Sequence, residues 1–334
     1  MARVQVALLS VLAACSPAGK AYQYPLDGVL RLDHVQSKAT HNSYHIETTD
    51  IAPWEYTMAP LDVQLDTEGV RSVELDLSYI GDDVGAGHHF EVFHVAAVDE
   101  GTTCRQLVDC LRTIRGWSVR YPGHLPLYIQ LELKDGFDDA AAEQFFSDLE
   151  SVILSAFPRT SIITPDEIRG GAATLPAALA GGWPTLGGLR GRVFFAFDNR
   201  TTPRQRYTHE LTSLTGRLCF VDSDPADPFG AVSIYNDPVP QSDDIAAAEA
   251  AHFWVRTRAD SDGVQARAND YTDQMAALSS GAQVVSTDFP VLTAGLPYWL
   301  DIPGGTPSRC NPVTAPTNCT SLALEDPRYV GGQR

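Results

Sequence analysis

Residues 70–77 read VRSVELDL, and this stretch decides the fold class. Successive residues of a β-strand point to opposite faces, so Glu74 and Asp76 share one face and the aliphatic residues around them share the other. Two carboxylates on one face of an apolar strand are costly unless they bind something. The stretch therefore predicts a buried strand that carries a pair of functional acids.

Short β-rich runs of this kind alternate with helical stretches, a pattern typical of parallel strands joined by helical crossovers. We expect eight strands, at 35–40, 71–77, 90–95, 127–133, 193–197, 231–235, 253–256 and 284–287. Helices are expected at 105–120, 138–156, 242–251 and 265–280, and a long loop with one helical turn at 170–191. The pattern predicts an α/β fold of one domain, a (β/α)8 or TIM-barrel-like structure.

The ends of the chain suggest export. The apolar run from Val4 to Ala14 is too short to span a bilayer as a mature helix and is typical of a signal peptide. It ends in Leu12-Ala13-Ala14-Cys15, which resembles a bacterial lipobox, so a lipidated Cys15 is favoured over ordinary secretory cleavage. We expect a signal peptide at 1–15, a linker at 16–32, the barrel at 33–302 and a Pro/Thr/Gly-rich tail at 303–334. The protein would be an envelope-anchored lipoprotein or a secreted protein.

Export also makes disulfides permissible. Pairing the cysteines that lie close in sequence joins Cys104 to Cys110 and Cys310 to Cys319, although sequence alone does not fix connectivity. Cys219 is then left over, and we expect it to be a small buried apolar residue.

The formal net charge of −18 bears on partners. Contacts to nucleic-acid phosphates need clustered Lys and Arg, so the negative net charge argues against nucleic acid as a partner. We infer no obligate protein partner.

Polar residues also gather where other predicted strands end. His41 and Asn42 follow the first strand, His94 closes the third, and Glu132 and Lys134 share a face at the end of the fourth. Each signal alone is weak, because a single histidine at a strand end is more often structural. Their succession on consecutive strands favours an active site, since a barrel gathers the carboxyl ends of its strands. Oxygen ligands of this kind suit Ca²⁺ or Mg²⁺.

This succession resembles the catalytic half of phosphoinositide-specific phospholipase C, and the bacterial calcium-dependent subgroup in particular. The matching stretches are KATHNSYH at 38–45, GVRSVELD at 69–76, VRTRAD at 255–260 and GAQVVSTD at 281–288. The resemblance extends from about residue 33 to about residue 290 and implies a TIM-barrel phosphodiesterase.

The resemblance also implies a role for each matching residue. The calcium ligands would be Asn42, Glu74, Asp76 and Glu132. The catalytic residues would be His41, His94, Glu74 and Glu132. Substrate would be contacted by Lys134, Arg258 and Asp288. His41 would act as acid and base and His94 would stabilise the transition state, although the two roles could be exchanged; Glu74 or Glu132 would take the proton of the nucleophile.

The implied reaction cleaves the glycerol–phosphate ester of phosphatidylinositol at a membrane surface. The neighbouring inositol hydroxyl is the nucleophile, so the products are diacylglycerol and a cyclic inositol phosphate. Ca²⁺ is the expected cofactor, with Mg²⁺ as the alternative. Two other functions stay open. A glycerophosphodiester phosphodiesterase uses the same barrel but typically has Arg where this chain has Asn42, and a lipoprotein could bind inositol lipids without catalysis.

Overall fold

Ten strands and ten α-helices lie within residues 22–80, 90–134 and 139–330, the part of the chain that the computed structural model describes. The strands are β1 (Val35–Thr40), β2 (Val70–Tyr79), β3 (Phe90–Val92), β4 (Leu127–Leu133), β5 (Val193–Phe197), β6 (Phe220–Val221), β7 (Val232–Ile234), β8 (Trp254–Arg258), β9 (Val284–Thr287) and β10 (Arg309–Cys310). The helices are α1 (Leu61–Asp66), α2 (Leu107–Arg120), α3 (Ala142–Ala156), α4 (Pro165–Arg169), α5 (Leu175–Leu179), α6 (Thr202–Tyr207), α7 (Ser242–Ala250), α8 (Val264–Ala268), α9 (Thr272–Ser279) and α10 (Ser321–Leu324).

Eight parallel strands form the barrel. Neighbours pair in the order β6-β5-β4-β2-β1-β9-β8-β7. The ring closes between β6 and β7, where Asp222 forms a parallel bridge with Val232 and the Ser223 amide donates to the Val232 carbonyl at 2.9 Å. The predicted (β/α)8 barrel is therefore confirmed.

The apolar strands account for this arrangement. A parallel sheet with helices on its outside buries both faces of each strand, and β5 accordingly reads VFFAF with every residue buried. The long helices α2 and α3 each turn one apolar face inward, with Leu111 and Ile114 buried in α2 and Phe146 and Leu149 buried in α3. Within this framework the polar residues of β2 are buried as well, including Glu74 and Asp76.

One predicted strand has a different role from the one expected. Residues 90–95 contain β3, but β3 pairs antiparallel with the end of β2, with Leu77 opposite Val92, and lies off the barrel. It can do so because β2 is ten residues long and extends beyond its partner β4. The eighth barrel strand is β6, which the sequence reading missed because it is only two residues long.

Three of the four predicted helices form near their expected bounds as α2, α3 and α7, the fourth is broken, and α1, α6 and α10 were not predicted. Residues 265–280 were expected to form one helix, but they form α8 and α9, because Asn269 adopts a left-handed conformation with φ of 52°. The loop at 170–191, where one helical turn was predicted, contains α5 and a 3-10 turn at Leu186–Gly188. The Thr164 side chain caps α4 by accepting from the Glu167 amide.

Two predicted disulfides, Cys104–Cys110 and Cys310–Cys319, are present, and Cys219 is free and buried. The second one lies in the segment after the barrel, where β10 pairs antiparallel with β1. The predicted division of the chain into signal, linker, barrel and tail stays a prediction, and residues 1–15 lie outside the described part. Within that part, no helix is long and apolar enough to cross a bilayer.

A buried ion pair fastens the C-terminal segment to the barrel. Arg71 Nε donates to Glu325 Oε2 at 2.7 Å, and both side chains are almost fully buried. We expect Arg71→Met to lower the free energy of unfolding by about 3–5 kcal/mol, because it leaves the Glu325 carboxylate buried without its partner. Urea denaturation measures this change.

The matched control is Arg112→Met, which removes an exposed pair with Asp109 on α2. Exposed pairs contribute about 0–1 kcal/mol, so this variant should unfold near the wild-type midpoint. Equal losses in the two variants would contradict the assignment of a structural role to the buried pair.

Candidate active site

A cluster of carboxylates lies at the carboxyl ends of β2, β4 and β5. Glu74, Glu132 and Asp198 each place one carboxylate oxygen within 4.8 Å of the others. Strand register produces this convergence, because Glu74 lies opposite Gln130 and Asp76 opposite Glu132 in the parallel β2–β4 pair. Two of the predicted metal ligands are thus together, joined by Asp198, which the sequence reading did not identify.

Asp76 lies beside this cluster but is not one of its three members. It is fully buried, and neither of its carboxylate oxygens has a hydrogen-bond partner within the described residues. Burial and the neighbouring Glu132 raise the pKa of Asp76 well above its ordinary value. A buried carboxylate without hydrogen bonds is costly, and a cation would remove that cost.

Lys134 supplies positive charge between two of the acids. Its Nζ lies 3.0 Å from Glu132 Oε1 and 3.1 Å from Asp76 Oδ2, the second contact being an ion pair without hydrogen-bond geometry. Burial alone would lower the pKa of Lys134, but these two carboxylates outweigh it and raise the pKa. The predicted substrate-contacting lysine is therefore paired with predicted metal ligands.

Asn42 occupies a constrained position after β1. Its φ is 42°, it is buried, and its side-chain amide donates to the Tyr56 hydroxyl at 3.1 Å. The side-chain oxygen accepts from the Tyr44 hydroxyl at 3.4 Å. The pKa of Tyr44 is raised well above its ordinary value by burial and then by the charge of Asp76.

Arg256, on β8, is a site residue that the sequence reading missed. Its guanidinium donates to Glu74 Oε2 at 2.7 Å and also bonds Asn236 after β7. The sequence does contain one indication of Arg256. The two-residue period of a strand places Arg256 and Arg258 on the same face of the buried strand β8. Of these two residues, only Arg258 was predicted to contact substrate.

His41 is held by a chain of charged groups at the end of β9. Its Nδ1 lies 2.7 Å from Asp288 Oδ1, and Arg258 donates to Asp288 Oδ2 at 3.2 Å. Burial, followed by the charge of Arg258, holds the pKa of His41 well below its ordinary value. Burial raises the pKa of Asp288 to about 6 despite the opposing effect of Arg258. The three predicted residues His41, Arg258 and Asp288 thus form one connected unit.

His94 reaches the site by a route that differs from the predicted one. It follows the antiparallel β3, which returns along the end of β2 and brings the histidine back beside the barrel mouth. Its Nδ1 lies 2.9 Å from Asp99 Oδ2, and its ring contacts Trp54 edge to face at 5.0 Å. Burial lowers the pKa of His94, and the charge of Lys134 adds to this effect. His94 also contributes to the lowered pKa of His41, after burial and the charge of Arg258.

The residues present fit a divalent cation. Three carboxylate oxygens converge, a fourth carboxylate is buried with both oxygens free of hydrogen bonds within the described residues, and every ligand would be oxygen. Hard cations such as Ca²⁺ and Mg²⁺ take such ligands. The arrangement joins a metal site to two histidines that each contact an aspartate.

Known proteins share this architecture. A sequence model of the family described as "Phosphoinositide phospholipase C, Ca2+-dependent" matches residues 82–312, a range that contains His94, Glu132 and Asp288 but begins after Glu74 and Asp76. No curated protein sequence matches the chain.

Solved structures agree on the fold. A calcium-dependent phosphoinositol-specific phospholipase C from Pseudomonas sp. is 19% identical, with a TM-score of 0.59 over 88% of this chain and 100% of that one. A Ca²⁺-dependent phosphatidylinositol-specific phospholipase C from Streptomyces antibioticus is 17% identical, with a TM-score of 0.55 over 78% of this chain and 96% of that one. At these identities the similarity shows the barrel architecture.

Proposed function

The chain belongs to the Ca²⁺-dependent phosphoinositide phospholipase C family, an enzyme family of phosphoric diester hydrolases, and we propose that it cleaves phosphatidylinositol to diacylglycerol and a cyclic inositol phosphate. The supporting observation is the pairing of two aspartate-bound histidines with a converging carboxylate cluster at one barrel mouth. A glycerophosphodiester phosphodiesterase and a non-catalytic lipid binder remain the rivals to be tested.

Glu74, Glu132 and Asp198 would hold the metal, with Asp76 and Asn42 beside them. When bound, Ca²⁺ would supply positive charge that lowers the pKa of the inositol 2-hydroxyl and balances the phosphate. The protein's own groups move the protons. A carboxylate, Glu74 or Glu132, accepts the proton of the hydroxyl, and Arg256 holds Glu74 in place through its contact with Oε2.

The histidines act on the other side of the phosphate. His41 contacts Asp288 through Nδ1, which leaves Nε2 to exchange a proton with the departing diacylglycerol oxygen. His94 contacts Asp99 in the same way, and a proton on its Nε2 would stabilise the charge that develops on the phosphorus oxygens. Lys134, Arg258 and Asp288 line the space that the head group would occupy.

The charges around the site favour an inositol ring without further phosphates. Each site cation already has a carboxylate partner: Arg256 with Glu74, Arg258 with Asp288, and Lys134 with Asp76 and Glu132. Beyond Asp198 lies a cavity of about 490 Å³ whose lining includes Asp222, Asp224, Asp237 and Asp244. Its one lining arginine, Arg200, is paired with Asp222 and Asp224. Phosphates on the ring would meet this negative charge.

A panel of substrates in mixed micelles tests the proposed function. We expect phosphatidylinositol to turn over at least about tenfold faster than its 4,5-bisphosphate, which corresponds to roughly 1.4 kcal/mol of repulsion. Phosphatidylcholine, the control, should not react. Preferred cleavage of glycerophosphoinositol would favour the glycerophosphodiesterase, and binding of phosphatidylinositol without turnover would favour the non-catalytic lipoprotein.

We also propose that the protein is exported and anchored through Cys15. The two disulfides suit an oxidising compartment. Intact-mass measurement of the mature protein should show an acylated chain that begins at Cys15. A mature chain that begins after Cys15 without acyl mass would mean simple secretion.

A further inference from the structure

One oxygen of Asp99 is shared by two histidines. Asp99 Oδ2 lies 2.9 Å from His94 Nδ1 and 2.9 Å from His45 Nε2, while Asp99 Oδ1 accepts from the Thr48 hydroxyl at 3.2 Å. The side chains of Asp99 and His45 are fully buried, whereas the side chain of His94 is 14% exposed. The exposed end of this chain of contacts is therefore the histidine at the proposed catalytic site.

The hydrogen bonds of His45 fix its protonation. Its Nδ1 lies 2.9 Å from the backbone carbonyl of Tyr56, which can only accept, so Nδ1 carries a proton. Its Nε2 faces a carboxylate oxygen, which also only accepts when ionised. An ionised Asp99 therefore requires both ring nitrogens of His45 to donate, which would make His45 an imidazolium ion.

We propose that His45 and Asp99 are positioning residues for His94. The His45 cation holds Asp99 in place, and the shared oxygen accepts the Nδ1 proton of His94, which leaves His94 Nε2 for the substrate. The arrangement deepens the proposed function, because it assigns to His45 a task in the same reaction.

The balance of charge explains why a second histidine is useful. Without His45, the buried carboxylate of Asp99 would lack a positively charged partner, and an uncompensated buried charge is strongly destabilising. His45 supplies that partner from the protein interior, so Asp99 can orient His94 without requiring His94 itself to be charged. Burial and the charges of Lys134 and His45 lower the pKa of His94, and Asp99 opposes them.

Nitrogen-15 NMR of the wild-type protein, with labelled histidines assigned through bonds, tests the arrangement without any turnover. At neutral pH we expect both ring nitrogens of His45 to be protonated and Nδ1 of His94 to carry a proton. A neutral His45, or a His94 with no proton on Nδ1, would overturn the proposal. This result is independent of whether the substrate has been identified correctly.

Enzyme kinetics provide the second test, which rests on the proposed function because it measures turnover of phosphatidylinositol. We expect His45→Gln to lower kcat on the order of 10²-fold through misplacement of His94, with KM unchanged. In a His94→Ala background the same substitution should cause no further loss, because the residues act as a unit. An equal loss in both backgrounds would show that His45 does not act through His94.

His124→Gln is the matched control. His124 is also fully buried and contacts a backbone carbonyl, that of Leu125, and a side chain, the Ser118 hydroxyl. It precedes β4, at the amino-terminal end of the strand and away from the site. His124→Gln should lose stability but keep its kcat at a temperature where it stays folded. A fall in its kcat equal to that of His45→Gln would show that the effect of His45→Gln is general destabilisation.

Discussion

Replacement of His41 or His94 by alanine is expected to lower turnover of phosphatidylinositol at least about a hundredfold in each case. General acid–base catalysis typically contributes about 10²–10⁴-fold, and each histidine is oriented by its own aspartate, Asp288 or Asp99. The double variant should lose far less than the product of the two factors, because the residues act on one transition state. Initial rates of inositol phosphate release measure the effect.

The pH dependence identifies which histidine carries the proton. The pKa of His41 lies well below its ordinary value, first because of burial and then because of Arg258. A general acid must keep its proton, and a lowered pKa moves the loss of that proton to lower pH, so the basic limb of the rate profile should begin below about pH 6.5, the ordinary histidine value. His41→Ala should flatten that limb.

His34, half-buried before β1, supplies the control. His34→Ala should retain near-normal turnover and the wild-type pH profile. Near-normal turnover in both His41→Ala and His94→Ala would refute the catalytic assignment and favour a lipid-binding protein.

The second large effect is expected on Ca²⁺ binding by the carboxylate cluster. Glu132→Gln and Asp198→Asn are each expected to weaken Ca²⁺ binding at least about tenfold, since every oxygen ligand lost reduces the charge that holds a hard cation. Calorimetric titration with Ca²⁺ measures the affinity directly and requires no substrate.

Asp76→Asn should differ from these two variants in one respect. It also weakens Ca²⁺ binding, but in excess chelator its melting temperature should rise, because the substitution relieves the repulsion between Asp76 and the neighbouring Glu132 and Glu74. Asp109→Asn, on the exposed face of α2, is the control and should change neither property. Wild-type Ca²⁺ affinity in Asp198→Asn would remove Asp198 from the proposed ligand set.

The pattern of residues along strands predicted most of the barrel and much of the site. Glu74 and Asp76 were found because a two-residue period places them on one face of an apolar strand. The same reasoning misplaced β3, whose sequence reads like a barrel strand, because strand direction is decided by the length of β2 rather than by local pattern.

Residues that depend on tertiary contacts could not be found in this way. Asp198 is a single acid after the apolar strand β5, and in sequence it resembles an ordinary turn residue. Asp99 lies in a turn five residues beyond His94, and only the folded chain shows that His45 shares its carboxylate. Such residues are recognised by their distance from other strands rather than by spacing along the chain.

The central claim is that the protein is a metal-dependent phosphatidylinositol phospholipase C. Its most direct test is the release of water-soluble inositol phosphate from phosphatidylinositol vesicles by the wild-type protein, with Ca²⁺ and then in excess chelator. We expect inositol phosphate to be released with Ca²⁺, the release to stop in excess chelator, and full release to return when Ca²⁺ is restored. Full activity in excess chelator, or no release under any of these conditions, would contradict it.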